Sequence, residues 1–291
     1  MPAAASKADT DASVNSAAPS LVWSEQDLAG DPHKTADKPE RVKRMFGAIA
    51  KRYDLNNRVH SFGRDQKWRR EAVKESAVRP GEVVLDAACG TGDLTRLFAQ
   101  TRAQRVVGLD FTPEMLAIAN ERLSRDKRRQ VLAASRIEYV EGDAQDLPFD
   151  DATFNVVSIA FGVRNVSAPD KALREFCRVL KPTGRLVVLE FSEPRSPLLK
   201  KLNHIYCSRI MPVTATWLSG DTTGAYRYLP RSVEKFRDRL AMVQAIRDAG
   251  FSAVTQRPLT FGVCVCYRGV APMPSKAEPK KPGRMRHPGL R

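Results

Sequence analysis

The sequence predicts a doubly wound α/β domain built on a largely parallel sheet, and three observations carry that prediction. Short apolar runs alternate with helical patterns from residue 82 to residue 191. A glycine-bearing turn, DAACGTGD at 86–93, follows the first run and precedes a helix. Later runs end in acidic residues, Asp110 and Asp143, at the strand ends where open α/β sheets bind ligands.

Residues 1–38 mix Ala, Ser, Asp and Pro without a sustained period and read as a disordered N-terminal tail. From Pro39, the pattern ERVKRMFGAIAKRYDLNN sets Val42, Met45, Phe46, Ile49, Ala50 and Tyr53 on one stripe, with Lys and Arg around the other face. This basic amphipathic helix either packs on its own domain or serves as a substrate lid or membrane-facing element. With a second helical stretch around 68–76, it makes 39–79 an N-terminal helical lid. EVVLDAA (82–88), RVVGLD (105–110), RIEYVEG (136–142), FNVVSIAF (154–161) and RLVVLEF (185–191) are the expected strands. LTRLFAQ, PEMLAIANERLSRDKRR and KALREFCRVL are the helices between them. Residues 193–231 leave this alternation as a partly helical insertion. A helix over 232–250 ends at Gly250, and FSAVTQRPLTFGVCVCYRG reads as two final strands joined by a turn. The domain therefore spans 39–270, and 271–291, with five prolines, form a basic C-terminal tail.

Forty-eight Lys and Arg against 33 Asp and Glu give +15 over 291 residues, a balance that admits nucleic acid or an anionic membrane as partner. The tails do not account for it, because 1–38 hold −3 and 271–291 hold +5, leaving +13 in the domain. Residues 40–79 alone carry twelve basic and five acidic groups. Five cysteines without CxxC spacing and four scattered histidines argue against zinc or a disulfide framework. No run approaches about 18 apolar residues. The N-terminus lacks a secretory core, and its Asp residues oppose a transit peptide, so a reducing cytoplasm is expected.

In DAACGTGD, Gly90 and Gly92 permit close backbone approach of a ligand, yet the spacing is neither GxGxxG nor a P-loop. Asp110, 18 residues beyond Gly92, can accept both hydroxyl hydrogens of a ribose, or cap the helix beginning at Pro113. Asp143 and Ala144 stand where an adenine edge can be recognised. Three successive strand ends thus offer a loop, a ribose acceptor and a base-edge acceptor. NAD remains open, but a single glycine loop with an acidic third-strand site favours S-adenosylmethionine, which has no pyrophosphate to cradle.

At this level the sequence resembles the class I S-adenosylmethionine-dependent methyltransferases. That resemblance implies a Rossmann-like, seven-stranded, mostly parallel sheet with an antiparallel last strand and helices on both faces. More narrowly, it resembles the C-methyltransferases of ubiquinone and menaquinone biosynthesis, above all the demethylmenaquinone enzymes. The blocks that carry the likeness are FGAIAKRYDLNNRVHSFGRDQKWRR (46–70), VLDAACGTGDLT (84–95), SIAFGVRNV (158–166), RVLKPTGRLVVLEFSEP (178–194) and YRYLPRSVEKF (226–236). They imply a cofactor set of Asp86, Gly90, Thr91, Gly92, Asp110, Asp143, Ala144 and Ala160. Cys89, Asn56, Asp65 and Thr183 depart from frequent family residues. Ala160 stands where a serine often helps hold the cofactor, a lost contact worth about 1 kcal/mol if buried.

The resemblance implies methylation of a ring carbon in a polyprenylated quinol, demethylmenaquinol to menaquinol, with a 2-polyprenyl-6-methoxy-1,4-benzoquinol or both rings as alternatives. A sulfonium is an activated methyl donor, so no metal is needed, and the protein must align the ring and favour its ionised hydroxyl. Arg164 and Asn165 follow the fourth strand. The guanidinium of Arg164 can stabilise a phenolate or orient a water, or else sit in a structural salt bridge. Tyr53, Asp54, Asn57 and His60 lie on the lid; His60 and Asp54 are candidate proton acceptors, His60 equally a structural residue, and Tyr53 a cover for the cofactor. Tyr226, Arg227 and Tyr228 are expected to line the ring pocket, and Trp217 to receive the prenyl tail or pack in the core. Expected partners are the quinol, an anionic membrane surface touched transiently by helix 40–53 at the inner face of the cytoplasmic membrane, and other quinone-biosynthesis enzymes or a second copy. An RNA methyltransferase is the competing class, but no recognised RNA module is present and no nucleic acid is expected.

Overall fold

The computed structural model describes residues 21–273, so the tail segments 1–20 and 274–291 lie outside the described residues. The chain is already ordered before the lid. Ser24 caps α1 (Glu25–Ala29) through a reciprocal capping box with Asp27. Trp23, just ahead of it, is fully buried and stacks on Tyr228 with ring centroids 4.4 Å apart. Residues 21–38, expected to belong to the tail, are therefore packed on the domain. One helical turn is too short to show a period, and Val22, Trp23 and Leu28 anchor the segment in the core.

The basic helix α2 (Lys38–His60) buries its apolar stripe at Val42, Met45, Ile49 and Ala50. The stripe packs in a cluster with Trp23, Ala215, Ala225, Tyr226 and Tyr228, so the helix is seated on its own domain. Phe62 and Gly63, both with positive φ, turn the chain into α3 (Arg64–Ser76). Trp68 and Ala72 of α3 pack against Val187, Leu189 and Cys264 of the sheet.

The alternation that follows is β1 (Val83–Ala87), α4 (Asp93–Ala99), β2 (Arg105–Asp110), α5 (Pro113–Arg128), β3 (Ile137–Glu141), β4 (Phe154–Ala160), α6 (Pro169–Val179) and β5 (Leu180–Phe191). The insertion supplies α7 (Pro197–Ile205), α8 (Met211–Ser219) and α9 (Ala225–Glu234); the domain closes with α10 (Arg239–Asp248), β6 (Ser252–Leu259) and β7 (Cys264–Val270). The seven strands form one sheet in the order β3-β2-β1-β4-β5-β7-β6. Every pairing is parallel except those of β7, which runs antiparallel to both β5 and β6. The expected fold is the observed one. Both faces are covered, Val107, Val157, Phe176 and Ile246 on one side and Phe98, Val106 and Leu123 on the other, which is why the strands read as continuous apolar runs. The strand order reverses between β1 and β4, and the loops after their carboxyl ends open the crevice where ligands bind.

Three local departures have physical causes. β5 begins at Leu180, five residues before the expected start, through a register shift opposite β4 in which Thr183 holds φ +62. The helix expected over 232–250 is broken: Ser232–Glu234 finish α9, and Asp238 starts α10 by accepting the N–H of Ala241 at 2.8 Å. Between α7 and α8, a π turn over Tyr206–Ile210 closes with the Met211 N–H on the Tyr206 carbonyl, and Pro212, which has no N–H to donate, follows in the first turn of α8. No helix among the described residues is long and apolar enough to cross a membrane.

Candidate active site

Two cavities meet at the carboxyl ends of the strands. The smaller, ≈ 90 Å³, is lined by Gly90, Asp110, Asp143, Ala144 and Ala160, with Pro39, Phe46 and Tyr53 of α2 as its roof. Gly90 holds φ +57, and a Cβ there would project into open space. Its N–H donates to Asp110 Oδ2 at 2.7 Å, and the Thr112 N–H donates to Asp110 Oδ1 at 2.9 Å. Asp110 thus joins the glycine loop to the turn that leads into α5, without capping that helix, and each oxygen keeps accepting capacity. Burial raises its carboxyl above the usual range despite those bonds. Asp143 is exposed and accepts from the Gln145 N–H at 2.8 Å, which folds the turn that places Ala144 and Gln145 on the cavity wall.

Asp86, Thr91 and Gly92 stand behind this wall. Asp86 accepts from Thr95 Oγ1 at 2.7 Å, and burial pushes its carboxyl up to about 7. Thr91 Oγ1 donates to both oxygens of Asp54, each at 2.9 Å, while Arg122 Nη2 pairs with Asp54 at 2.5 Å and Arg122 Nη1 reaches Asp93 at 3.2 Å. Asp54 therefore fastens the lid helix to the glycine loop and to α5.

The larger cavity, ≈ 630 Å³, lies between α2, α3, the insertion and β5. His60, Arg164, Tyr226 and Arg227 line it, and Tyr53 and Phe161 line both cavities. Arg164 is buried and fixed: Nη1 donates to Glu190 Oε1 at 2.6 Å and to the Phe161 carbonyl at 2.9 Å, and Nε to Ser232 Oγ at 3.2 Å. Asn165 belongs to the smaller cavity; its Nδ2 donates to the Phe161 carbonyl, and its Oδ1 accepts from Tyr228 at 3.1 Å. These bonds hold Phe161 at φ +58, a conformation rare for a bulky residue and set between the two cavities. His60 Nδ1 lies 3.0 Å from the Tyr206 hydroxyl, its buried Nε2 has no hydrogen-bond partner among the described residues, and burial lowers its pKa. Burial also raises the phenol of Tyr53, whose ring meets Phe46 edge-on at 5.7 Å.

Two expected pocket residues lie elsewhere. Tyr228 is fully buried under Trp23, and Trp217 is 85% exposed on α8, in neither cavity wall. Several contributors were not anticipated. Glu190 is the acid inside the apolar VVLEF strand, a break in the pattern that signals a partnered charge. Lys38 is buried, with Nζ donating to the carbonyls of Arg164 at 2.9 Å and Val166 at 2.7 Å, and burial lowers its pKa to about 8. Nothing in the local sequence marks it.

Comparison with known proteins agrees with this architecture. Residues 34–271 match the model of the ubiE/COQ5 methyltransferase family. The ubiquinone/menaquinone biosynthesis C-methyltransferase UbiE of Ectopseudomonas mendocina is 42% identical over 239 residues, covering 81% of this chain and 91% of that protein. The demethylmenaquinone methyltransferase of Clavibacter sepedonicus is 39% identical over 243 residues, covering 84% and 95%. Among solved structures, a SAM-dependent methyltransferase from Thermotoga maritima superposes with a TM-score of 0.54 at 18% identity, covering 79% of this chain and 99% of that one, a likeness of fold alone. By family model and by relatives matched along nearly their whole length, the chain is a member of the ubiE/COQ5 methyltransferase family.

Proposed function

We infer that the protein transfers a methyl group from S-adenosylmethionine to a ring carbon of a prenylated quinol, converting demethylmenaquinol to menaquinol. The observation that carries this reading is a strand-end cavity with a ribose-type acceptor, joined through Tyr53 and Phe161 to an ≈ 630 Å³ cavity with a fixed guanidinium in its wall. The smaller cavity suits the cofactor. Asp110 offers acceptors for two hydroxyls, Gly90 leaves space at the loop, and Leu109, Phe111, Met115 and Ala144 supply apolar surface for a flat base. When bound there, S-adenosylmethionine supplies an activated methyl group.

The chain's own residues do the rest. Tyr53 and Phe161, at the junction, bring the ring to the methyl and keep water from it. Arg164, held by Glu190, Phe161 and Ser232, orients a fixed guanidinium edge toward the hydroxyl that ionises. Asp54 is committed to Arg122 and Thr91, which leaves His60, neutral and with an Nε2 that has no partner among the described residues, as the proton acceptor. Asn165 positions Phe161, and Tyr226, which accepts from Asn56 Nδ2 at 2.8 Å, closes the far wall. The prenyl tail extends into the insertion, and the enzyme meets its substrate by transient contact with an anionic membrane surface. The 2-polyprenyl-6-methoxy-1,4-benzoquinol is the second reading, since relatives of both descriptions match. Purified protein with methyl-labelled cofactor and matched naphthoquinol and benzoquinol acceptors under reducing conditions tests this: label is expected in the naphthoquinol, and transfer to neither ring overturns the reading.

A further inference from the structure

The run from Pro197 to Ser219 is continuously helical for 23 residues yet buries a single one, Ala215. A helix on a water-soluble surface shows its polar side outward. Here Leu198, Leu202, Ile205, Ile210, Val213 and Trp217 face solvent, Leu198 at 67% and Trp217 at 85% exposure. Phe62, 78% exposed, joins them from the turn after α2, its ring 5.8 Å from that of Tyr206. Apolar surface gathered on one insertion marks an interaction face and not scattered exposure.

We propose that the α7–α8 segment is the face by which the protein inserts into an anionic phospholipid surface, drawing the prenyl tail from the bilayer into the larger cavity. The proposal rests on the quinol reading above. Charge selects the occupant: residues 195–220 hold Arg195, Lys200, Lys201 and Arg209 and no Asp or Glu, and with Lys200 paired to Glu193 at 2.6 Å the exposed Arg195, Lys201 and Arg209 carry the positive face. An anionic bilayer complements that face, whereas a second copy would bring like charges together. Position supports the same occupant. His204, Tyr206, Met211 and Val213 of this segment line the cavity, so one helical run is both its wall and the exposed apolar face. Helix α2 supplies less of the apolar part of the contact, because its stripe is buried in the domain and only Leu55 and Val59 among its large apolar side chains are exposed. A tryptophan with neighbouring Leu, Ile and Lys is the composition that settles at the water–hydrocarbon boundary.

The test uses the full chain with vesicles of phosphatidylglycerol and phosphatidylcholine, and of phosphatidylcholine alone. Trp23 and Trp68 are buried, so a blue shift on anionic vesicles, quenched by brominated lipid, reports Trp217. The triple variant Leu198→Ser, Leu202→Ser, Trp217→Ser is expected to bind anionic vesicles at least about tenfold more weakly, and Lys201→Gln about fivefold. Transfer to a quinol with one prenyl unit in solution stays at the wild-type rate, while transfer to a long-chain quinol in vesicles falls with binding. Undiminished vesicle binding by the triple variant, or no binding by the wild type, overturns the proposal. So does a dimer, seen by sedimentation velocity, that the triple variant dissociates. If the variant loses vesicle binding but the wild type methylates neither quinol, the membrane face stands and the assigned reaction fails.

Discussion

Asp110 and His60 are the two side chains on which the assigned chemistry can be tested most directly. Asp110 holds the glycine loop through the Gly90 N–H and retains lone pairs facing the smaller cavity. Asp110→Ala is expected to lower S-adenosylmethionine affinity by about 10- to 100-fold in calorimetry, the worth of one or two charge-assisted hydrogen bonds. Unchanged affinity would place the ribose elsewhere. For His60, burial depresses the pKa below 6.5, so the imidazole is neutral at pH 7 and turnover declines only as pH falls through that lowered value. His60→Gln should cut kcat by about 100-fold and abolish this acid limb. Asp54→Asn should keep the limb and hold kcat within about tenfold, because it loosens a fastening and removes no base; the reverse pattern in the two pH–rate profiles would exchange their roles. Strand-end residues were legible in the sequence, since regular alternation fixes where Gly90, Asp110, Asp143 and Ala160 converge. The commitment of Asp54 was not legible, because its partner Arg122 lies 68 residues away with no shared pattern.

At the scale of elements, legibility follows length. Helix α2 runs 23 residues, enough for its 3.6-residue stripe to announce a buried face, and the strands are apolar on both sides because both are covered. The five residues of α1 cannot show a period, and Trp23 is the largest of the three side chains, with Val22 and Leu28, that seat the segment. Trp23 is stacked on Tyr228, and the Arg41 guanidinium lies 5.4 Å from its ring centroid. Trp23→Ala is therefore expected to lower unfolding free energy in urea by about 3–5 kcal/mol. The loss should exceed that of an exposed substitution such as Leu240→Ala, and equal losses would mean the α1 contact adds little. The break before α10 was hidden for a different reason: Asp238 sits in a sequence with helical character on both sides, and its extended backbone and capping bond show that one helix ends and another begins.

Across the whole molecule, separate stretches of sequence converge on one loop. The segment after β4 takes Lys38 from the start of α2, Glu190 from β5, and Ser232 and Tyr228 from α9, so Arg164, Asn165 and Phe161 are set by the domain and not by local propensity. That is why the motif was readable while its support was not: the loop is contiguous in sequence, and its frame is assembled only by folding. Tyr53 and Phe161 have a further consequence. Because the same two rings bound both cavities, whatever fills one changes the wall offered to the other, and the two occupants become thermodynamically linked. The factor by which S-adenosylhomocysteine tightens quinol binding must equal the factor by which the quinol tightens S-adenosylhomocysteine binding. In Tyr53→Ala, titrations in either order should give a factor close to one, so the partition that separates the ligands is also what allows each to sense the other.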